Sequence, residues 1–331
     1  MIGPGDRVSV VSPSWCGPEH YPRVFDLGLE RLRGLGLEPM ETPTTRVQGT
    51  AVERARDLMA AFTDPSTTAV FASIGGDDQL TVLRHLDPEV LRAHPKPFFG
   101  YSDNTNVLNY LSLLGIKGCH GGAVMVQLAR PGRMHPVTEA SLGAALFTEG
   151  PWELPAPTDF TDVHGDWATD DLTIEPPLLA APPWTWHGPA RAVAGPLWGG
   201  CLEVLAWTVG IAKHLAPSYD GRVLLLETSE ELPSADEVYR FLRVLGERDM
   251  LQQFVGLVMA RPKAWSADRP DIRESYTADQ RAAVVRAMGE YAPDTPFVVG
   301  VDAGHTDPMV VLPIGGEVAL DPVAGRITAT Y

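Results

Sequence analysis

Apolar positions in the first third of the chain switch repeatedly between a two-residue and a three-to-four-residue period. Residues 7–12 (RVSVVS) form a β-rich run closed by Pro13, which predicts a first strand. Residues 21–35 carry Val24, Leu27, Leu32 and Leu35 at helical spacing, and Gly36 is placed to stop that helix. Residues 51–62 predict a second helix. Residues 68–74 (TAVFASI) predict a buried strand ended by Gly75-Gly76, and residues 80–86 start another helix. Residues 97–101 then predict a strand and residues 105–114 its helix, with Val107, Leu108, Leu111 and Leu114 on one face. Strands alternating with helices predict a parallel, doubly wound α/β sheet. Such sheets hold ligands at the carboxyl ends of their strands, where Gly75-Gly76 and Ser102 both fall.

The texture changes between residues 150 and 183. Pro151, Pro155, Pro157, Pro176, Pro177, Pro182 and Pro183 lie among many acidic residues, which predicts a connection between domains. Short β-rich runs follow at 192–193, 223–226, 254–259, 297–301 and 310–312. Helical patterns lie at 201–208, 234–245 and 277–290. The expected organisation is an N-terminal domain over 1–150, a linker over 151–183, and a mixed, strand-richer α/β domain over 184–331.

The balance of the 331 residues is that of a globular chain, 44% hydrophobic and 21% charged. The formal net charge of −16 repels phosphate backbones and anionic lipid, so nucleic acid and membrane surfaces are poor partners. Cys16, Cys119 and Cys201 are odd in number and far apart, giving neither a disulfide framework nor a CxxC site. A reducing cytoplasm is the simplest compartment. No basic and apolar leader opens the chain, and no apolar run approaches the roughly 20 residues that span a bilayer.

Gly100-Tyr-Ser-Asp103 joins a strand to a helix and presents Ser102 at a sharp turn. That geometry lifts a hydroxyl above the sheet and aims a helix N-terminus at the reacting atoms. The competing role is a helix N-cap. A serine nucleophile also needs a base and an oxyanion site. Gly75-Gly76 and the N–H of Asp103 are candidate oxyanion donors. His305, in Gly304-His-Thr-Asp-Pro308 at the end of an apolar strand, is the best-placed base, with His120 and His187 as alternatives. Glu227 closes the apolar strand Arg222-Val-Leu-Leu-Leu-Glu227 and is the candidate orienting acid, with Glu230 and Glu231 as competitors. Asp77-Asp78 could hold Mg²⁺, but an acidic pair there more often caps a helix, and no metal-binding pattern such as HExxH occurs.

Five segments taken in order carry a further signal: Ser73-Ile-Gly-Gly76, Phe99-Gly-Tyr-Ser-Asp103, Gly195-Pro-Leu-Trp-Gly-Gly-Cys-Leu-Glu-Val-Leu205, Leu224-Leu-Leu-Glu227, and Gly304-His-Thr-Asp-Pro308 with Leu312-Pro-Ile-Gly315. Over nearly its whole length the chain resembles the LD-carboxypeptidase family, serine peptidases that include the microcin C self-immunity peptidases. The resemblance implies a flavodoxin-like N-terminal domain and a C-terminal domain built around a small barrel-like sheet. It implies Ser102 as nucleophile, Glu227 and His305 as its partners from the second domain, and the N–H groups of Gly76 and Asp103 as oxyanion donors. It implies a cytoplasmic homodimer that needs no cofactor or metal. Gly75-Gly-Asp-Asp78 replaces the Gly-Gly-Tyr-Gly usual in peptidoglycan-recycling members, so the chain looks closer to the microcin-immunity branch. That branch cleaves the amide between an acidic aminoacyl group and a nucleotide analogue, with a linker tryptophan stacked on the base. Trp167 is the matching candidate, and Gly75 and Asp77 are further expected substrate contacts. A muramoyl tetrapeptide carboxypeptidase is the nearest alternative; a Gly-Gly-Asp kinase or a non-catalytic binding protein are the distant ones. Residues 264–275 have no counterpart in this picture.

Overall fold

The computed structural model describes residues 2–331. The first strand, Arg7–Val11, pairs in parallel with Glu38–Glu41 on one side and Thr67–Ala72 on the other. Phe98–Gly100 and Gly118–His120 extend the sheet, again in parallel. Side-chain alternation sorts its two faces. Phe71 and Phe99 stack with ring centroids 4.5 Å apart beneath the helix Pro22–Gly34. Val70 and Phe98 point the other way, toward the helices Ala51–Thr63 and Thr105–Leu113. Both faces are covered, so the strands read as continuous apolar runs.

The sheet does not stop at the proline-rich connection. Leu312–Ile314 pairs antiparallel with Gly118–His120 and in parallel with Val193–Cys201. Val193–Cys201, Val223–Glu227, Gly256–Ala260 and Phe297–Val301 continue in parallel register, and Thr185–His187 closes the edge antiparallel. Leu224, Leu226, Leu257 and Met259 pack under the helices Ala235–Glu247 and Arg273–Tyr291. Leu225, Val258 and Val298 face the opposite way, where Val318, Leu320, Ile327 and Ala329 of a small antiparallel set cover them. The architecture is therefore the expected mixed α/β one, with a large sheet rich in parallel pairs.

Four local features depart from the sequence reading. The helix expected over 80–86 ends at Leu83, because Asp87 accepts from the N–H groups of Glu89 and Val90 and starts the separate helix Pro88–Ala93. Glu38–Glu41 and Gly118–His120 are too short and, in the first case, too polar to announce themselves as strands. The helix Pro136–Phe147 also escaped notice; it starts on Pro136 at its first position. No helix among the described residues is long and apolar enough to cross a membrane.

Candidate active site

Two strand ends in the second half and one in the first converge. Glu227, the last residue of Val223–Glu227, is fully buried, and its Oε2 lies 2.6 Å from His305 Nδ1. Gly304 makes that approach possible: a Cβ there would lie 3.0 Å from Glu227 Cβ and 3.2 Å from Oε2. The tilted ring of Tyr101 packs on His305 with centroids 4.8 Å apart. Ser102 follows Tyr101 with φ +61°, in the left-handed region that a non-glycine residue occupies only under constraint. It opens the 3₁₀ turn Ser102–Asn104, which runs into the helix Thr105–Leu113. Neither turn nor helix has a side-chain N-cap, so the capping role considered for Ser102 is not taken up.

Several contacts hold the serine turn in place. Asp103 is fully buried; its carboxylate accepts from the Ser14 hydroxyl, from Gln79 N–H at 2.8 Å and from Asn106 Nδ2 at 2.8 Å. Burial pushes its carboxyl up while these donors pull it down, and burial prevails. The Gly75-Gly76 loop lies directly beside the turn. A Cβ on Gly75 would come within 2.8 Å of Ser102 Cβ, 3.0 Å of its Oγ and 3.3 Å of the Asp103 nitrogen. Asp77 is exposed, and Asp78 is bound by the buried guanidinium of Arg54.

The Leu-Trp-Gly-Gly segment has a structural reason. The helix behind Ser102 lies on the strand Val193–Cys201, where Asn109 exchanges hydrogen bonds with Gly199 at 3.0 and 3.2 Å and Thr105 Oγ1 accepts from Cys201 N–H at 3.0 Å. Any side chain on Gly200 would collide with the Thr105 hydroxyl. Cys201 is in register with Glu227, so this docking brings the serine helix to the strand pair that carries the acid.

The imidazole carries a carboxylate at each nitrogen. Glu230 Oε2 lies 3.1 Å from His305 Nε2, and its side chain is 59% exposed. Burial by itself lowers the imidazole pKa, but Glu227, then Glu230 and Glu203, overrule it and push His305 up to about 9. Partial burial raises Glu230, yet His305, His164 and Lys263 hold it below the usual carboxylate range. Glu230, weighed above as a rival for the orienting position, thus occupies the other nitrogen. Among the described residues Ser102 makes no hydrogen bond to His305, and the close partner of Nε2 is Glu230.

Of the alternative bases, His120 sits beside the Glu227–His305 pair but is tied to the backbone, and His187 lies away from it. His120 is buried with Nε2 3.0 Å from the carbonyl of Ala303, and His187 stacks on Phe297 at the sheet edge. A cavity opens beside His305 and Tyr101, and Trp167 and His164 of the connection line it. Trp167 also meets Tyr21 edge-on at 5.4 Å. The connection is fastened to the His305 turn by paired backbone bonds between Thr161 and Asp307, at 2.6 and 2.9 Å. Arg130 Nε adds a 2.6 Å bond to Asp307. Residues 264–275, which had no assigned role, clip the connection from outside: Arg273 bonds both oxygens of the fully buried Asp162, and Ala264 N–H adds a third donor. Sequence patterns gave no warning of Arg130, His164, Lys263 or Arg273, since each meets its partner only through the tertiary fold.

Comparison with known proteins identifies the family. Residues 8–121 match the LD-carboxypeptidase N-terminal domain and residues 194–320 the LD-carboxypeptidase C-terminal domain. The chain belongs to the LD-carboxypeptidase family. A Streptomyces coelicolor relative, named provisionally as a carboxypeptidase, is 30% identical over 99% of this chain and 94% of its own. The microcin C7 self-immunity protein MccF of Escherichia coli is 24% identical, covering 96% of this chain and 91% of that one. A Bacillus subtilis protein named provisionally as a murein peptide carboxypeptidase is 26% identical over 97% and 90%. Solved MccF structures share the fold with a TM-score of 0.86 at 22% identity, covering 100% of this chain and 97% of theirs; one holds aspartyl sulfamoyl adenosine and another glutamyl sulfamoyl guanosine. The family membership makes this LD-carboxypeptidase homologue a peptidase-type hydrolase.

Proposed function

We propose that this LD-carboxypeptidase family member is a serine peptidase or amidase with Ser102 as nucleophile, His305 as base and Glu227 as orienting acid. The buried 2.6 Å pair between Glu227 and His305 Nδ1, next to a serine held at positive φ, is the observation that carries the reading. Neutral His305 takes the Ser102 proton as Oγ attacks the carbonyl, then returns it to the leaving amine. The N–H groups of Gly76 and Asp103 stabilise the oxyanion, and water releases the acyl group. No step of this scheme calls for a cofactor. Glu227 keeps the imidazole oriented and stabilises its charged form.

The proposed substrate is an aminoacyl-nucleotide amide of the microcin type or a related small peptide, and the proposed setting is a cytoplasmic homodimer. Trp167 lines the cavity beside His305 and is the proposed platform for a nucleobase; Gly75 and Asp77, beside the serine turn and outside that lining, are further proposed contacts. The MccF structures with aminoacyl sulfamoyl nucleosides support this choice. The murein peptide relative supports a second reading, cleavage of an L,D bond in a cell-wall tetrapeptide. Incubation with aspartyl sulfamoyl adenosine and with a murein tetrapeptide separates the two: aspartate release from the first is expected, whereas D-alanine release alone would select the second. Trp167→Ala is expected to raise KM for the nucleoside substrate by about fivefold to a hundredfold and to alter a peptide substrate little, in line with about 1–3 kcal/mol for base stacking. Equal losses on both would remove the stacking role.

A further inference from the structure

The atom of His305 that must receive the serine proton is already engaged. Nδ1 is taken by Glu227 at 2.6 Å, and Nε2 faces the Glu230 carboxylate at 3.1 Å. An imidazole between two carboxylates is held as imidazolium, with an N–H on both nitrogens and no lone pair for a serine proton. The two acids differ in setting. Glu227 is fully buried at the end of a central strand, whereas the Glu230 side chain is 59% exposed and lies in the turn beyond it. Glu227 is enclosed on all sides, whereas Glu230 has an open path to solvent.

We infer that Glu230 is a positioning residue for the base: in the substrate-free protein it holds His305 Nε2 off Ser102, and it must yield that nitrogen before the serine can react. This rests on the proposed Ser102–His305 chemistry. As the pair separates, the Nε2 proton passes to solvent and the nitrogen regains the lone pair that accepts the Ser102 proton. A substrate seated in the cavity beside Tyr101 and His305 supplies the displacement by occupying the approach to Nε2. Other groups facing the ring are Tyr101 from the serine turn, His120 from Gly118–His120, Glu203 from the helix Leu202–Ile211, His164 and Asp307 on the cavity wall, and Arg130 on Asp307. Lys263 faces Glu230 from beyond Gly256–Ala260. Of the carboxylates in this set, Glu230 alone forms a close pair with Nε2.

The test uses the full chain with ¹⁵N-labelled histidine, with the His305 signal assigned by its loss in His305→Asn. An opposite charge at this range shifts a pKa by about 1–3 units. Glu230→Gln should therefore lower the His305 midpoint by about one pH unit or more, while Glu230→Asp keeps most of the wild-type value. A second readout is the pH dependence of Ser102 modification by a fluorophosphonate. Its acid limb should move down with the NMR midpoint, making Glu230→Gln several-fold to tenfold more reactive than wild type at pH 7. An unchanged midpoint in Glu230→Gln, or slower modification with an unmoved limb, overturns the inference. Absence of modification in every variant overturns the Ser102 reading only, and the imidazole titration then decides the role of Glu230.

Discussion

Ser102 combines a left-handed backbone with a hydroxyl that caps no helix. A merely structural serine has no reason to accept about 1–3 kcal/mol of backbone strain. Ser102→Gly should therefore stabilise the fold by up to about 1 kcal/mol while abolishing turnover. Thermal melts and a hydrolysis assay on the same protein check both halves of that expectation; a destabilised Ser102→Gly would remove the strain argument. His305 gives a second residue-level prediction. Its pKa is about 9 in the folded chain, against about 6.5 in an unfolded one. The native state binds the proton more tightly, so the stabilisation is complete below pH ~6.5 and is lost as pH rises through about 9. Melting temperature should fall across that window in wild type and change less in His305→Asn. At this scale Ser102, Glu227 and His305 were candidates from their places at or just beyond strand ends and from the family resemblance. The occupancy of Nε2 could not, because Glu230 follows Glu227 by one turn of irregular chain whose path no periodicity predicts.

At the scale of elements, the connection between the halves is packed against the candidate site. It hydrogen-bonds the His305 turn at Thr161, carries Trp167 and His164 to the cavity, and is held outside by the Asp162–Arg273 fork. Removing Arg273 leaves a fully buried carboxylate without its cation, which costs about 3 kcal/mol or more. Arg273→Ala should lower stability by that order and raise KM, whereas breaking the exposed Arg286–Glu290 pair should cost under about 1 kcal/mol. Urea unfolding of the two variants decides this; equal small losses would mean that the fork does not fasten the connection. The proline-rich composition drew attention to the connection but hid its contacts, because prolines advertise a break in helix and strand and say nothing about what the intervening side chains reach. The parallel strands were legible for the opposite reason: both of their faces are buried, so their runs of valine, leucine and phenylalanine are continuous.

For the whole molecule, one sheet runs through both halves, with Leu312–Ile314 from near the C-terminus seated between Gly118–His120 and Val193–Cys201. This junction brings the serine turn and the Glu227–His305 pair onto one side of the sheet. It was not readable in advance, since its three strands lie far apart in the chain and pair by tertiary placement alone. The C-terminal strand Arg326–Thr330 pairs with Glu317–Asp321 and with Pro151–Glu153, and Tyr331 donates to the carbonyl of Val311 at 2.7 Å. The proposed chemistry requires that these halves assemble a serine nucleophile. Intact-mass and peptide-mapping spectrometry after treatment with a fluorophosphonate tests it most directly. One adduct per chain on Ser102, absent from Ser102→Ala and strongly slowed in His305→Asn, is the predicted result; an unmodified wild-type protein of proven fold, or an adduct confined to another residue, would contradict it.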